Sequence, residues 1–285
     1  MTFAFFNDGF FPIEEIKISP FDRGFLFGDA VYEVIPVYKK KLFLIDEHLS
    51  RLVRSLEETK IPKPQKWDQL KEIFTELIYL NQFSNQSIYL QISRGVEIKR
   101  SHIPSKKLEP TLFITSSSLP PNPYRKNKDR RGIKASLLED KRWKRCDIKS
   151  VNLLPNVLAL NKAHSSGFED VIFYEGDEVT EGASSNIFLL FGKEVISPPQ
   201  SNKILSGITR NYIISLLERL GLNFTEKIVK IDDLFEADEV WLTSSTREVQ
   251  PVSEIDGKEL TLSDPINSYW RKILEVFNNQ NQTIS

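Results

Sequence analysis

Apolar positions along the chain fall into short runs with two distinct periods. Ala30–Tyr38 (AVYEVIPVY) is dense in β-branched and aromatic residues and predicts a strand. A lysine turn over 39–41 and a second apolar run over 42–45 complete a hairpin. Asp46 then stands at an N-cap position before a helix in which Leu49, Leu52, Val53 and Leu56 recur at helical spacing. A second helix is predicted over 67–80, followed by strands near 87–93 and 111–115. In the second half, 132–138, 170–174, 187–191 and 240–243 read as strands. Helices are predicted over 153–164, with Pro155 in the first turn, and over 209–220, ended by Gly221. Strands and helices mix without regular alternation, so the predicted class is α+β in two domains.

The pattern breaks once. Residues 116–131 (SSSLPPNPYRKNKDRR) hold three prolines, a cluster of charge and no long apolar run, which predicts an exposed linker. The expected division is an N-terminal domain over 1–117, a linker over 118–131 and a C-terminal domain over 132–285.

Composition narrows the function classes. The 38 basic and 39 acidic residues leave a net charge of −1, which gives no support to nucleic-acid binding or a basic membrane-binding surface. No stretch reaches the roughly 18 apolar residues of a membrane span. The N-terminal segment is aromatic but lacks a basic region and is interrupted by Asn7-Asp8-Gly9, so no signal peptide is expected. One cysteine, Cys146, precludes an intrachain disulfide and fits a reducing compartment. These features together predict a soluble cytoplasmic protein.

Candidate chemistry gathers in the second half. Residues 181–186 (EGASSN) precede a strand, 206–210 (SGITR) open a helix, and 243–246 (TSST) follow a strand. Amides at a helix start, a glycine that allows close approach and nearby hydroxyls together make an anion site. Each segment alone reads as an ordinary cap; together they point to phosphate as readily as to three unrelated turns. Lys149 lies in 146–151 (CDIKSV), a poor setting for a solvated charge. A lysine held among apolar groups has a lowered pKa and can form a Schiff base. Composition alone favours the plainer alternative, a surface lysine on an edge strand.

These residues, in this order, resemble a known family. Asp22-Arg23-Gly24-Phe25, 27–33 (FGDAVYE), the CDIKS segment, Thr180-Glu181-Gly182 with Asn186, and Gly207-Ile208-Thr209-Arg210 recur in fold-type IV pyridoxal-phosphate (PLP) enzymes. That class includes D-amino acid and branched-chain aminotransferases and aminodeoxychorismate lyase. The resemblance runs from about Phe5 to Trp270 and most closely follows the bacterial D-amino acid (D-alanine) aminotransferases. It implies a dimer of two-domain chains, with a smaller N-terminal α/β domain and a larger, mixed, β-barrel-like C-terminal domain that binds the cofactor.

Roles follow from the resemblance position by position. Lys149 matches the Schiff-base lysine and Glu181 the carboxylate at the pyridine nitrogen, which keeps that nitrogen protonated. Arg51 matches the phosphate-binding arginine, where a planar guanidinium suits a bidentate contact. Ile208 and Thr209 match backbone phosphate donors, and Ser245 occupies a third phosphate position. Tyr32, Arg100 and His102 match the substrate-carboxylate trap of the D-amino acid enzymes, in which the last two reach across from the neighbouring subunit. The implied reaction is ping-pong transfer of an amino group between a D-amino acid, such as D-alanine, and a 2-oxo acid, such as 2-oxoglutarate.

Other residues read more plainly. Arg23 is expected to form an internal ion pair, Cys146 to be small buried filler, and His48 and His164 to pack or face solvent without metal-ligand spacing. Arg247 stands where the D-alanine type carries a small residue. Three rivals stay open: an L-branched-chain aminotransferase, an aminodeoxychorismate lyase on the same scaffold, and a non-enzymatic binder of a phosphorylated metabolite. The Arg100/His102 pair speaks against the first, and Lys149 with Glu181 against the last.

Overall fold

The computed structural model describes residues 2–125, 131–260 and 267–283, so residues 126–130 of the predicted linker lie outside the described residues. The chain divides into two compact units, Met1–Pro120 with Ile148–Asn152, and Pro121–Asp147 with Leu153–Ser285.

The first unit is built on strands β1 (Phe3–Phe6), β2 (Gly9–Pro12), β3 (Ala30–Tyr38), β4 (Lys41–Leu42), β5 (Gln86–Ser93) and β6 (Thr111–Ser118). They form an antiparallel sheet in the order β2-β1-β6-β5-β3-β4. Helices α1 (Arg23–Phe27), α2 (Ile45–Thr59) and α3 (Leu70–Leu80) accompany it. Side chains alternate across each strand, so Ile88, Leu90 and Ile92 of β5 join Leu112 and Ile114 of β6 on one face. The stripes Leu52/Leu56 of α2 and Leu70/Phe74/Leu77/Ile78 of α3 complete that core. The hairpin turn is two residues long, with Lys39 and Lys40 both at positive φ (49° and 67°), the backbone a tight antiparallel turn demands. Asp46 is not the cap of α2: the helix begins at Ile45, with Leu44 left-handed at φ 51° before it, and Asp46 sits in the first turn, where its charge opposes the helix dipole favourably.

The second unit carries β7 (Ile133–Glu139), β8 (Asp170–Glu175), β9 (Glu178–Gly182), β10 (Asn186–Phe191), β11 (Glu194–Ser197), β12 (Asn223–Glu226), β13 (Val229–Lys230), β14 (Glu239–Ser244), β15 (Glu248–Ile255) and β16 (Lys258–Glu259). The sheet order is β12-β11-β10-β14-β15-β7-β8-β9-β13, with β16 beside β15 and a mixture of parallel and antiparallel pairs. Helices α4 (Leu154–Ser165), α5 (Ile208–Leu217), α6 (Asp233–Glu236) and α7 (Tyr269–Thr283) complete it. The unbroken apolar run of β10 is explained by burial on both faces. Phe188 and Leu190 pack with Trp241 beneath α5 and α7, while Ile187 and Leu189 face a second core. That second core takes Ile196 of β11 and Val229 of β13, strands from opposite ends of the sheet, so the sheet curls and fills its own concave face.

In the described part of the expected linker, Leu119, Asn122 and Tyr124 are buried while Ser118, Pro120, Pro121, Pro123 and Arg131 are exposed. Ile148–Asn152 belongs to the first unit although its neighbours on both sides belong to the second. Val31 and Ser150 form an antiparallel bridge, Tyr32 N donates to Lys149 O at 3.0 Å and Val151 N to Ala30 O at 3.2 Å. No helix among the described residues is long and apolar enough to cross a membrane.

Candidate active site

In the first unit, β3 sorts the candidate residues by its period of two. Tyr32 and Glu33 are consecutive and so point to opposite faces. On one side, the Lys149 amine lies 4.1 Å from the centre of the Tyr32 ring, which stacks on Tyr89 at 5.6 Å. Lys149 is half-buried between Ile148 and Ser150, both 6% exposed, so it is no freely solvated surface lysine.

On the other side, Glu33 meets α2. Arg51 donates from Nε to Glu33 Oε1 at 2.7 Å and from Nη2 to Oε2 at 2.8 Å, the bidentate geometry that a planar guanidinium favours. His48, one turn earlier, places Nδ1 2.8 Å from Glu33 Oε2. Burial alone would raise the Glu33 carboxyl, but Arg51 and His48 outweigh it and hold it well below the ordinary carboxylate range. Burial lowers His48, and the charges of Arg51 and Lys149 push it the same way.

Arg100 and His102 come together elsewhere, on the exposed segment between β5 and β6. The Arg100 guanidinium lies 4.9 Å from the centre of the Phe27 ring, and the His102 ring 5.4 Å from it. Arg23 is buried and forms the expected internal ion pairs, with Asp29 and Glu97 at 2.9 Å each.

In the second unit, the three small-residue segments converge. Glu181 is 5% exposed and accepts on both oxygens: Oε1 from Arg142 Nη1 at 2.6 Å, Oε2 from Asn186 Nδ2 and Leu205 N at 3.0 Å each. Burial pushes its carboxyl up to about 7, against the pull of Arg142. Arg142 is itself fixed by Asp140, donating from Nε to Oδ1 at 3.0 Å and from Nη2 to Oδ2 at 2.7 Å. Asn186 joins this carboxylate to the other two segments. It faces Thr243 across β10 and β14, and its Oδ1 would lie 1.9 Å from any Cβ added at Gly207, a packing that glycine alone permits. Gly207, the residue before α5, has no side chain with which to cap the amides that open the helix at Ile208 and Thr209. Ser245 lies in the turn between β14 and β15, half-exposed. Among the described residues, the hydroxyls of Thr243 and Ser185 are buried without a hydrogen-bond partner.

This donor set fits PLP. A buried carboxylate suits a protonated ring nitrogen, and an uncapped helix start with hydroxyls beside it suits a phosphate. Arg142 is the organising residue that motif reading passes over, because the Asp140-x-Arg142 spacing carries no periodic signal; Asn186 stands within the recognised motif, without a role assigned to it.

Other expectations resolve as follows. Cys146 is half-buried rather than enclosed, with its thiol pushed up to about 11 chiefly by burial, which makes it a poor nucleophile. His48 is buried on Glu33. Arg247 pairs with Asp170, a fully buried carboxylate at the start of β8. No cluster of potential metal ligands occurs among the described residues.

The profile of the amino-transferase class IV family matches residues 30–255. A D-alanine aminotransferase of Staphylococcus haemolyticus is 37% identical over 278 residues, covering 98% of this chain and 97% of that one. Another, from Bacillus licheniformis, is 40% identical over 261 residues, 91% of this chain and 90% of that one. Among solved structures, the Escherichia coli branched-chain amino acid aminotransferase superposes with a TM-score of 0.87 at 23% identity, over 98% of this chain and 94% of that one. A Mycobacterium tuberculosis aminotransferase with α-ketoglutarate and pyridoxamine phosphate bound does so with a TM-score of 0.83 at 22% identity, over 96% and 98%. At those identities the likeness is one of fold, whereas the closer sequence matches and the family profile span most of the chain. The chain belongs to the class IV aminotransferases, enzymes that use pyridoxal phosphate.

Proposed function

We propose that the protein transfers amino groups between D-amino acids, D-alanine among them, and 2-oxo acids such as 2-oxoglutarate. The observation that carries this reading is the near-full-length identity to D-alanine aminotransferases, 37% and 40%. The bound cofactor supplies an aldehyde that condenses with amines and a ring that takes up the electrons of the substrate Cα–H bond.

Everything else falls to the chain. The Lys149 amine would anchor the cofactor and, freed by the incoming amino group, would take the substrate Cα proton at Nζ and give it back as the general acid. Proton transfer by a positioned base is worth roughly 10²–10⁴-fold. Glu181, steadied by Arg142 and Asn186, would hold the ring nitrogen in its protonated form. Arg51, the amides of Ile208 and Thr209, and Ser245 would hold the phosphate.

Tyr32, Arg100 and His102 bind the substrate carboxylate. Pinning that group decides which Cα hydrogen faces Lys149, and so which enantiomer reacts. We place Arg100 and His102 in the site of a neighbouring copy, which makes the homodimer the active form. Supporting this, Phe25, Ile98 and Ile103 are 75%, 82% and 81% exposed near that loop, and Leu154 and Leu158 of α4 are 67% and 61% exposed. Apolar side chains so exposed mark association surfaces. With D-alanine and 2-oxoglutarate, the purified protein should form pyruvate and D-glutamate, with parallel double-reciprocal lines. Intersecting lines, or no pyruvate, would overturn the reading.

A further inference from the structure

The segment from Val96 to Ile103 has exposed side chains and little regular structure, yet its backbone is tied down from beneath. Arg23, 3% exposed on α1, donates from Nη1 to Ser101 O at 2.6 Å and from Nη2 to His102 O at 3.1 Å. It also donates to Glu97 Oε2 and Asp29 Oδ2, at 2.9 Å each. Glu97 in turn accepts from Ser105 N at 3.1 Å and from the Ser105 hydroxyl, which closes the far side of the segment. Asp29 also takes Arg94 Nε at 2.7 Å, tying the assembly to the end of β5.

One buried guanidinium therefore serves two consecutive carbonyls that no strand or helix pairs. Charge-assisted contacts of this kind hold a loop more firmly than neutral ones. The residues whose backbone they fix are those that carry or adjoin Arg100 and His102. Phe27, at the C-terminal end of α1, completes the support. Its ring centre lies 4.8 Å from the Arg23 guanidinium and 4.9 Å from that of Arg100, with His102 alongside. A guanidinium resting on an aromatic ring is held by the ring's negative face while its N–H edges stay open to an anion.

We infer that Arg23 and Phe27 are positioning residues for the substrate α-carboxylate: Arg23 fixes the backbone that carries Arg100 and His102, and Phe27 sets the plane of the Arg100 guanidinium. The inference rests on the proposed role of Arg100 and His102 as carboxylate ligands. Neither positioning residue touches substrate or cofactor.

The holoenzyme tests it with Phe27→Leu, which leaves every Arg23 hydrogen bond in place, and with Arg23→Lys. Both should raise KM for D-alanine and for 2-oxoglutarate about ten-fold, with kcat changed by less than about three-fold. The dissociation constant for PLP should not move. Because Phe27 acts through Arg100, Phe27→Leu combined with Arg100→Ala should be no worse than Arg100→Ala alone, a non-additivity that a general loss of stability does not produce. If Arg100→Ala raises KM while Phe27→Leu does not, or if their effects add, the positioning role is overturned and the carboxylate reading stands. If Arg100→Ala itself leaves both KM values unchanged, the carboxylate reading fails and takes the positioning role with it. Should Arg23→Lys fail to fold, Phe27→Leu and the double variant decide the matter.

Discussion

Glu181 and Glu33 are both buried carboxylates, and their surroundings push them in opposite directions. Burial moves Glu181 from an ordinary 4.5 up to about 7, with Arg142 pulling the other way; at Glu33, Arg51 and His48 outweigh burial. Between about 4.5 and 7 the folded chain therefore holds a proton at Glu181 that the unfolded chain has lost. The stability of the cofactor-free protein should fall as pH rises through that window, by this group's share. Glu33 works in reverse: its contribution is present above 4.5 and is lost as pH falls below it. Denaturant unfolding of cofactor-free wild type and Glu181→Gln, at pH 5 and pH 8, checks the first statement. The glutamine variant should lose less stability over that interval, and an equal loss in both proteins would contradict the argument. In the loaded enzyme the same substitution should leave PLP bound but slow the half-reaction roughly 10²- to 10³-fold, as expected when a charge facing the reacting system is removed. Glu181→Asp should retain more, keeping the charge at poorer reach.

At the scale of elements, the contact between β3 and α2 carries a second prediction. If Arg51 is the phosphate ligand proposed, Arg51→Ala removes a charge-assisted contact of about 1.5–3 kcal/mol, so PLP affinity should fall roughly ten- to a hundred-fold. It also leaves the Glu33 carboxylate buried without its bidentate partner, a break that typically costs about 3–5 kcal/mol. Adding Glu33→Gln should recover much of the stability, read as the denaturation midpoint, and none of the affinity. Recovery of both would place the phosphate elsewhere. Gly207→Ala tests the start of α5: a Cβ 1.9 Å from Asn186 Oδ1 forces that side chain off Glu181, and PLP affinity should drop roughly ten-fold. Much of this was legible beforehand. The periods of β3, α2, α3 and α5 mark their own cores, and the small-residue strings around Asn186, Gly207 and Thr243 mark a place where backbones must approach closely. What stayed hidden was long-range. Nothing local says that Ile148–Asn152 leaves its sequence neighbours to pair with β3, or that Arg142 reaches Glu181 across 39 positions. The helix α7 is a different case, since Trp270, Ile273, Leu274 and Phe277 stand at helical spacing that the strand-and-helix reading leaves out.

For the molecule as a whole, the proposed dimer is the feature on which activity should depend. On the proposed roles, a chain with Lys149→Ala lacks the base, and a chain with Arg100→Ala lacks the carboxylate ligand. If Arg100 serves the neighbouring copy's site, a heterodimer of the two keeps one site with both residues intact. Mixing the inactive variants under conditions that exchange subunits should restore activity, up to about half of the wild-type sites in each heterodimer. Heterodimers that form and stay as inactive as their parents would contradict the shared site. The hand of the substrate can be read directly. Purified enzyme is given racemic alanine and 2-oxoglutarate, and the two alanine enantiomers are followed separately by chiral chromatography. D-alanine should disappear while L-alanine persists; consumption of L-alanine with D-alanine untouched would overturn the D-selectivity.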